Sequence, residues 1–407
     1  MTSPAPDRDP PTSLRRLDEA QRRHGERARR YLAGMWRGDP LADAFVADFP
    51  AVGHGRAMRM LRQACREGIT AVPEAPDSLT ALFGELDRVP GWVDLDSLDH
   101  DLRHLARYTR QAGIVLGAAS LVAGYANSAA SRPLQLTGRY VESAGVRTIE
   151  VASWLVEINA RQGLARFSPG FELTVRVRVI HALVRQALRN SPDWDETAWG
   201  VPVCQSYLAY TLVEFCLIPL RGMRAIGAPY LPHEVRAQYH LWRYAGHLLG
   251  IEEALLPVDR AGQEALEDLY LLTRPEVDAY CRDLVRSINQ EFLVPEIEEL
   301  VPARLAPLAP TVVHGLERVF LGDAVADELA IPRSRATGMI RRVGPVLGAV
   351  NATLDRLPGL LEARTERGRR YRVAQDRRLR ERYAVQHDLV DASPAGGRDH
   401  PARVPPG

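Results

Sequence analysis

Thr174-Val-Arg-Val-Arg-Val-Ile-His-Ala-Leu-Val-Arg-Gln-Ala-Leu-Arg189 is the stretch on which the fold turns. Ser168-Pro-Gly precedes it and Asn190-Ser-Pro-Asp follows it, the punctuation of a helix start and stop. Read as a helix, the segment puts Val177, Arg178, Val184 and Arg185 within one turn of His181, with Leu188 two turns along the same face. A lone imidazole on an apolar, arginine-edged face suits two roles. It can be a core histidine satisfied by a backbone carbonyl. It can also be an axial haem ligand, which needs an imidazole nitrogen aimed at iron, an apolar shell around the porphyrin and cations near the propionates.

Working outward, three-to-four-residue apolar spacing marks further helices over 13–34, 41–49, 56–66, 79–88, 95–126, 133–161, 206–220 and 232–249. No segment reads as a sheet, so the expected class is all-α. One large helical domain over residues 41–360 is expected to enclose the site. Residues 1–40 form an N-terminal helical extension with a disordered start, and 361–407 form an arginine-rich solvated helix with a Pro-, Gly- and Ala-rich disordered tail.

With 46% hydrophobic and 25% charged residues, the 407-residue chain has the composition of a globular protein with a large interior. All 52 basic residues are arginines, and 51 acids bring the formal charge to +1, which gives no electrostatic reason to bind nucleic acid. Cys65, Cys204, Cys216 and Cys281 are scattered and form no CxxC, as buried thiols in a reducing compartment would be. The start of the chain lacks a secretory apolar core, and no hydrophobic segment follows Arg15-Arg16. The most apolar run, Ala112 to Ala126, is too short to span a bilayer and is rich in small residues, as a buried helix would be. These features lead to the expectation of a cytoplasmic protein with no transmembrane segment. GxGxxG, GxxxxGK[ST], HExxH and GxSxG are all absent, which removes the usual support for dinucleotide, phosphate, zinc-protease and serine-hydrolase chemistry.

The order of Arg132-Pro-Leu-Gln-Leu-Thr-Gly-Arg139, Val146-Arg-Thr-Ile-Glu-Val-Ala-Ser-Trp-Leu155, Val179-Ile-His-Ala-Leu-Val-Arg185, Gly200-Val-Pro-Val-Cys-Gln-Ser-Tyr-Leu-Ala-Tyr-Thr-Leu212 and His240-Leu-Trp-Arg-Tyr-Ala-Gly-His-Leu-Leu-Gly250 resembles the catalytic domain of the latex-clearing protein, or rubber oxygenase, family. That family's relatives include the farnesyl-chain-cleaving oxygenase of mycophenolic acid biosynthesis. The likeness runs from about Leu95 to Pro257 and, more loosely, around Phe320-Leu-Gly-Asp323. It implies a helical fold around haem b, with His181 as the iron ligand and O2 as co-substrate. The implied reaction is oxidative cleavage of a double bond in a hydrophobic, isoprenoid- or polyketide-like substrate. Arg147 matches a family arginine. One turn on, where latex-clearing proteins carry a Lys-Thr pair, this chain has Glu150 and Val151. Glu150 could accept a proton beside Arg147 in the distal pocket, or the two could form a plain helix-surface ion pair. A family glutamate acting as base falls at Ser131, which weighs against rubber itself as substrate. Arg139 and Arg178 are candidates for the propionates.

Two alternatives stand beside the oxygenase. One is a haem sensor or carrier closed by His240 or His247, which lie seven residues apart on one helix face. The other is a helical interaction protein without cofactor that docks through its arginine-rich end.

Overall fold

The computed structural model describes residues 8–137, 144–357 and 359–383. Among them every regular element is a helix and there is no strand. The histidine helix, Pro169–Arg189, runs through the middle of the molecule. Ser168 caps it by accepting from the Phe171 amide at 3.1 Å, and Pro169 occupies the first turn, where no amide hydrogen is needed. It packs on Pro40–Ala47 and His54–Glu67 on one side and on Ala144–Ile158 and Pro232–Leu248 on others.

Two of the long periodic segments are broken in the structure. The 95–126 segment divides into Leu95–Leu102, a short 3-10 turn Leu105–Tyr108, and Thr109–Val115 running on through a π-helical turn, Leu116–Leu121. The segment read as 133–161 is two helices, Ser128–Leu136 and Ala144–Ile158. Asn127 caps the first of these, accepting from Ala130, so the helix begins before Pro133 rather than at it. Beyond residue 250, where no helices were read from spacing, helices such as Arg260–Thr273, Ala279–Ile288 and Ala309–Leu321 build a second apolar cluster around Leu284, Ile288 and Val313.

Three helices carry a π-helical turn: Leu116–Leu121, Val213–Leu217 and Asn289–Leu293. The first packs against both of the others, which brings the widened turns together in the interior. Such turns free backbone groups and re-aim side chains, and they often sit beside functional sites.

The arginine-rich segment departs from its sequence reading. Leu360–Arg382 is helical, but Thr365, Gly368 and Leu379 are buried. A Cβ at Gly368 would collide with the Ala106 carbonyl, so glycine permits a close crossing with the 3-10 turn. Arg107 on that turn binds Glu234 bidentately at 2.6 and 2.7 Å and Asp355 at 2.9 Å. Tyr108 donates to Asp355 at 2.9 Å, and Arg364 of the final helix pairs with the same carboxylate. Arg107, Tyr108, Glu234, Asp355 and Arg364 all find partners in this centre, so the helix is bound into the main body. Periodicity missed this because its inward face has one large apolar side chain well separated from a threonine and a glycine.

No single described helix is long and apolar enough to cross a membrane. All four cysteines are buried with free thiols.

Candidate active site

On the histidine helix, position around the axis separates two chemistries. Arg178 and Arg185 lie on one flank. Arg178 meets Asp39 at 2.5 and 3.0 Å and Glu85 at 2.8 Å, while Arg185 pairs with Asp43 and donates to the Val203 carbonyl at 2.9 Å. Asp39 also caps Pro40–Ala47 through the Ala42 amide. This flank therefore fastens the histidine helix to the N-terminal helices. Arg178, expected from the sequence as a cofactor contact, is committed to Asp39 and Glu85 instead, and only 2% of it is exposed.

On the other flank Val177, Ile180 and Val184 give an apolar surface, and Ile180, His181 and Val184 keep partial accessibility. His181 lies between the two flanks, and its Nδ1 is sealed from solvent.

Glu150 and Trp154 share a face of Ala144–Ile158, one turn apart, and both are buried. Trp154 donates from Nε1 to Thr174 Oγ1 at 3.0 Å, which ties this helix to the histidine helix. Its ring meets Phe215 edge-on at 5.9 Å and Trp242 at 5.7 Å, and Phe215 stacks on Trp242 at 5.4 Å. Arg147 lies on the same helix as Glu150. Arg139 and the side chain of Arg147 fall outside the described residues.

The opposite face of that helix, with Ile149, Ala152, Ser153 and Val156, borders a cavity of about 810 Å3. Ser120, Cys216 and Trp242 are deep in the fold and form its floor, and Phe215 belongs both to the floor and to the three-ring wall. Arg161, Arg369 and Arg372 stand at its outer end. The volume is that of a small-molecule pocket.

One further acid was not singled out in the sequence. Glu214, on the π-turn next to Phe215, lies in Leu212-Val-Glu-Phe-Cys-Leu217, and its lone carboxylate in an apolar run was the available signal. Burial alone pushes it up to about 8, so it carries a proton at neutral pH. Its carboxyl fits against Gly124, where an added Cβ would stand 2.8 Å from Oε1. Ser131 is buried on Ser128–Leu136. His240 is exposed beside a smaller hollow, and His247 stacks on Tyr244 near Glu85 and Arg178.

Residues 106–349 match the family model described as ER-bound oxygenase mpaB/B'/rubber oxygenase, catalytic domain. The chain is 24% identical to the rubber oxygenase of Streptomyces sp. (strain K30) over 336 residues, which cover 79% of this chain and 77% of that protein. Among solved structures, the latex clearing protein in its closed state superposes with a TM-score of 0.63 at 20% identity, over 83% of this chain and 90% of the other. That likeness is one of fold.

Proposed function

The chain belongs to the mpaB and rubber oxygenase catalytic-domain family, and on that premise we propose that it is a haem b-dependent oxygenase. In this reading it uses O2 to cleave a carbon–carbon double bond in an isoprenoid-like apolar molecule. The oxygenase class comes with the family, whereas the cofactor, the bond cleaved and the substrate class are this proposal's own.

The observation that carries the cofactor is the setting of His181. It stands mid-helix, partly accessible and with Nδ1 enclosed, between an apolar flank and a flank whose arginines are already paired. A porphyrin needs an imidazole on such an apolar surface, so the residues present fit the group. Haem bound there would supply the reductive activation of O2.

The remaining work falls to the protein's own side chains. Trp154, Phe215 and Trp242 keep water from the space between the two helices. Arg147 and Glu150 are assigned to the oxygen-binding side of the pocket, with Arg147 steadying negative charge as it develops and Glu150 exchanging a proton with a nearby water. Arg139 is assigned to a haem carboxylate, a role that Arg178 cannot fill while it holds Asp39. Phe215 and Trp242 border both the cavity and the aromatic wall, so these two rings stand between a substrate in the cavity and the helix pair.

The test is the absorption spectrum of protein expressed with haem supply, oxidised and then reduced under CO, beside His181→Ala. A Soret band that shifts with CO and is lost in the variant supports the assignment. Wild-type protein without a Soret band removes it. Incubation of the loaded protein with O2 and short polyisoprenoids should then yield carbonyl-ended fragments.

A further inference from the structure

The cavity is apolar along its depth, yet its mouth holds a cation that the fold does not neutralise. Arg372, on the final helix, is half-buried and lines the cavity. No carboxylate stands within ion-pair distance of its guanidinium among the described residues. Burial and Arg369, one turn away, disfavour its charge, and Glu157 among the surrounding acids favours it. The other charged groups at the mouth are occupied. Asp99 takes Arg161 at 3.7 Å and the Gln162 amides, Asp96 takes Gln162 Nε2 at 3.1 Å, and Asp376 is held by Arg380 at 3.1 Å. Arg103 donates to the His100 carbonyl, and Arg369 donates to the Arg103 carbonyl at 3.1 Å.

A guanidinium withdrawn from water without a counter-ion is costly, and an arriving anion recovers that cost. Arg369, Arg372 and Gln375 lie three residues apart in succession on one face of the helix, and all three line the cavity. They present a planar bidentate donor, a second cation and an amide to the same opening. The floor, by contrast, is Ser120, Cys216, Phe215 and Trp242, with Ile149 beside it, which favours a hydrocarbon end.

We infer that the cavity takes an amphipathic substrate, an apolar chain ending in a carboxylate or phosphate, with Arg372 holding the anionic end at the mouth. The inference rests on the isoprenoid reading above and narrows it. Anchoring the head group also fixes which double bond along the chain lies against Phe215, so cleavage would occur at a set distance from the anion. A neutral polymer has no such anchor.

The test is a binding titration that needs neither haem nor turnover, with farnesol, farnesoic acid and farnesyl monophosphate as probes. It is read by calorimetry and by tryptophan fluorescence, since Trp242 is at the floor. Wild-type protein should bind one or both acids about tenfold or more tightly than the alcohol, as a charge-assisted contact requires. The ratio between the two acids identifies the head group. In Arg372→Gln the preference should disappear while farnesol binding stays as it was, and Arg372→Lys should restore part of it. Equal affinity for all three probes in the wild type, or an unchanged preference in Arg372→Gln, overturns the anionic anchor and leaves the isoprenoid reading standing. Failure of all three to bind overturns both.

Discussion

Trp154 Nε1 donates to Thr174 Oγ1 at 3.0 Å, and Thr174 in turn donates to the Gly170 carbonyl at 2.7 Å. The helix bearing Glu150 is thereby pinned to the helix bearing His181 one turn after the acid and two turns before the imidazole, so a buried hydrogen bond helps to set the spacing between the two faces. Thr174→Val keeps the shape but strands an indole N–H in the interior. It should lower the unfolding free energy by about 1–3 kcal/mol, whereas Thr174→Ser should cost much less. Urea denaturation of the two variants is the measurement, and equal losses would show that the methyl contact, not the hydrogen bond, makes the joint.

Arg178 and His181 are three residues apart and should respond to mutation in opposite ways. Arg178→Met leaves Asp39 charged and enclosed, at a cost of about 3–5 kcal/mol, yet the folded fraction should still load haem. His181→Ala should lose the Soret band with a small change in stability. Denaturation curves and spectra on the same samples separate the two. A folded Arg178 variant that takes up no haem would return Arg178 to the cofactor.

Glu214 and Glu317 are both raised by burial to about 8. The folded state therefore holds their protons through the range in which the unfolded chain, titrating near 4.5, has released them. Their favourable contribution is fully present below the unfolded value and is lost as pH rises toward 8, at about 1.4 kcal/mol per pH unit for each proton. Glu317→Gln keeps the size and removes the proton. Its stability relative to wild type should rise steadily between pH 5 and pH 8 and level off above. A difference that does not vary with pH would mean that Glu317 is ionised in the fold.

Gly368 allows the final helix to cross the Leu105–Tyr108 turn at backbone contact. Gly368→Ala should force the crossing apart, costing about 1–3 kcal/mol as overpacking does. Limited proteolysis should find the 360–383 segment protected in wild type and cleaved in the variant, with loss of ligand binding in the cavity that this helix walls.

The all-α class was legible because helical spacing and capping signals, such as Ser168-Pro at the histidine helix, are local properties of the chain. His181 was legible as a candidate for the same reason. The destination of Arg178 was not, because its partners Asp39 and Glu85 are 139 and 93 positions away and nothing in the spacing of a helix reveals which distant acid will meet it. The role of the final helix was hidden in a similar way. Its buried side is made of Thr365, Gly368 and Leu379, one large apolar side chain well separated from a threonine and a glycine, which does not register as an apolar stripe, and its many arginines read as a solvated surface. The cavity is the product of helices spread from Leu95 to Leu379, so no single segment carries its signature.

The π-turn at Val213–Leu217 contains one residue more than an α-helix would use over the same rise. Deleting a single residue there would let the helix close to ordinary winding, and the side chains of the widened turn itself would be re-aimed around the axis. Phe215 would leave the rings of Trp154 and Trp242, and Glu214 would leave its place against Gly124. A one-residue gap in an evolutionary lineage, invisible to composition and harmless to the helix itself, would thus rewire the chamber. Relatives lacking that residue should be sorted as carrying a different pocket even where their flanking motifs agree.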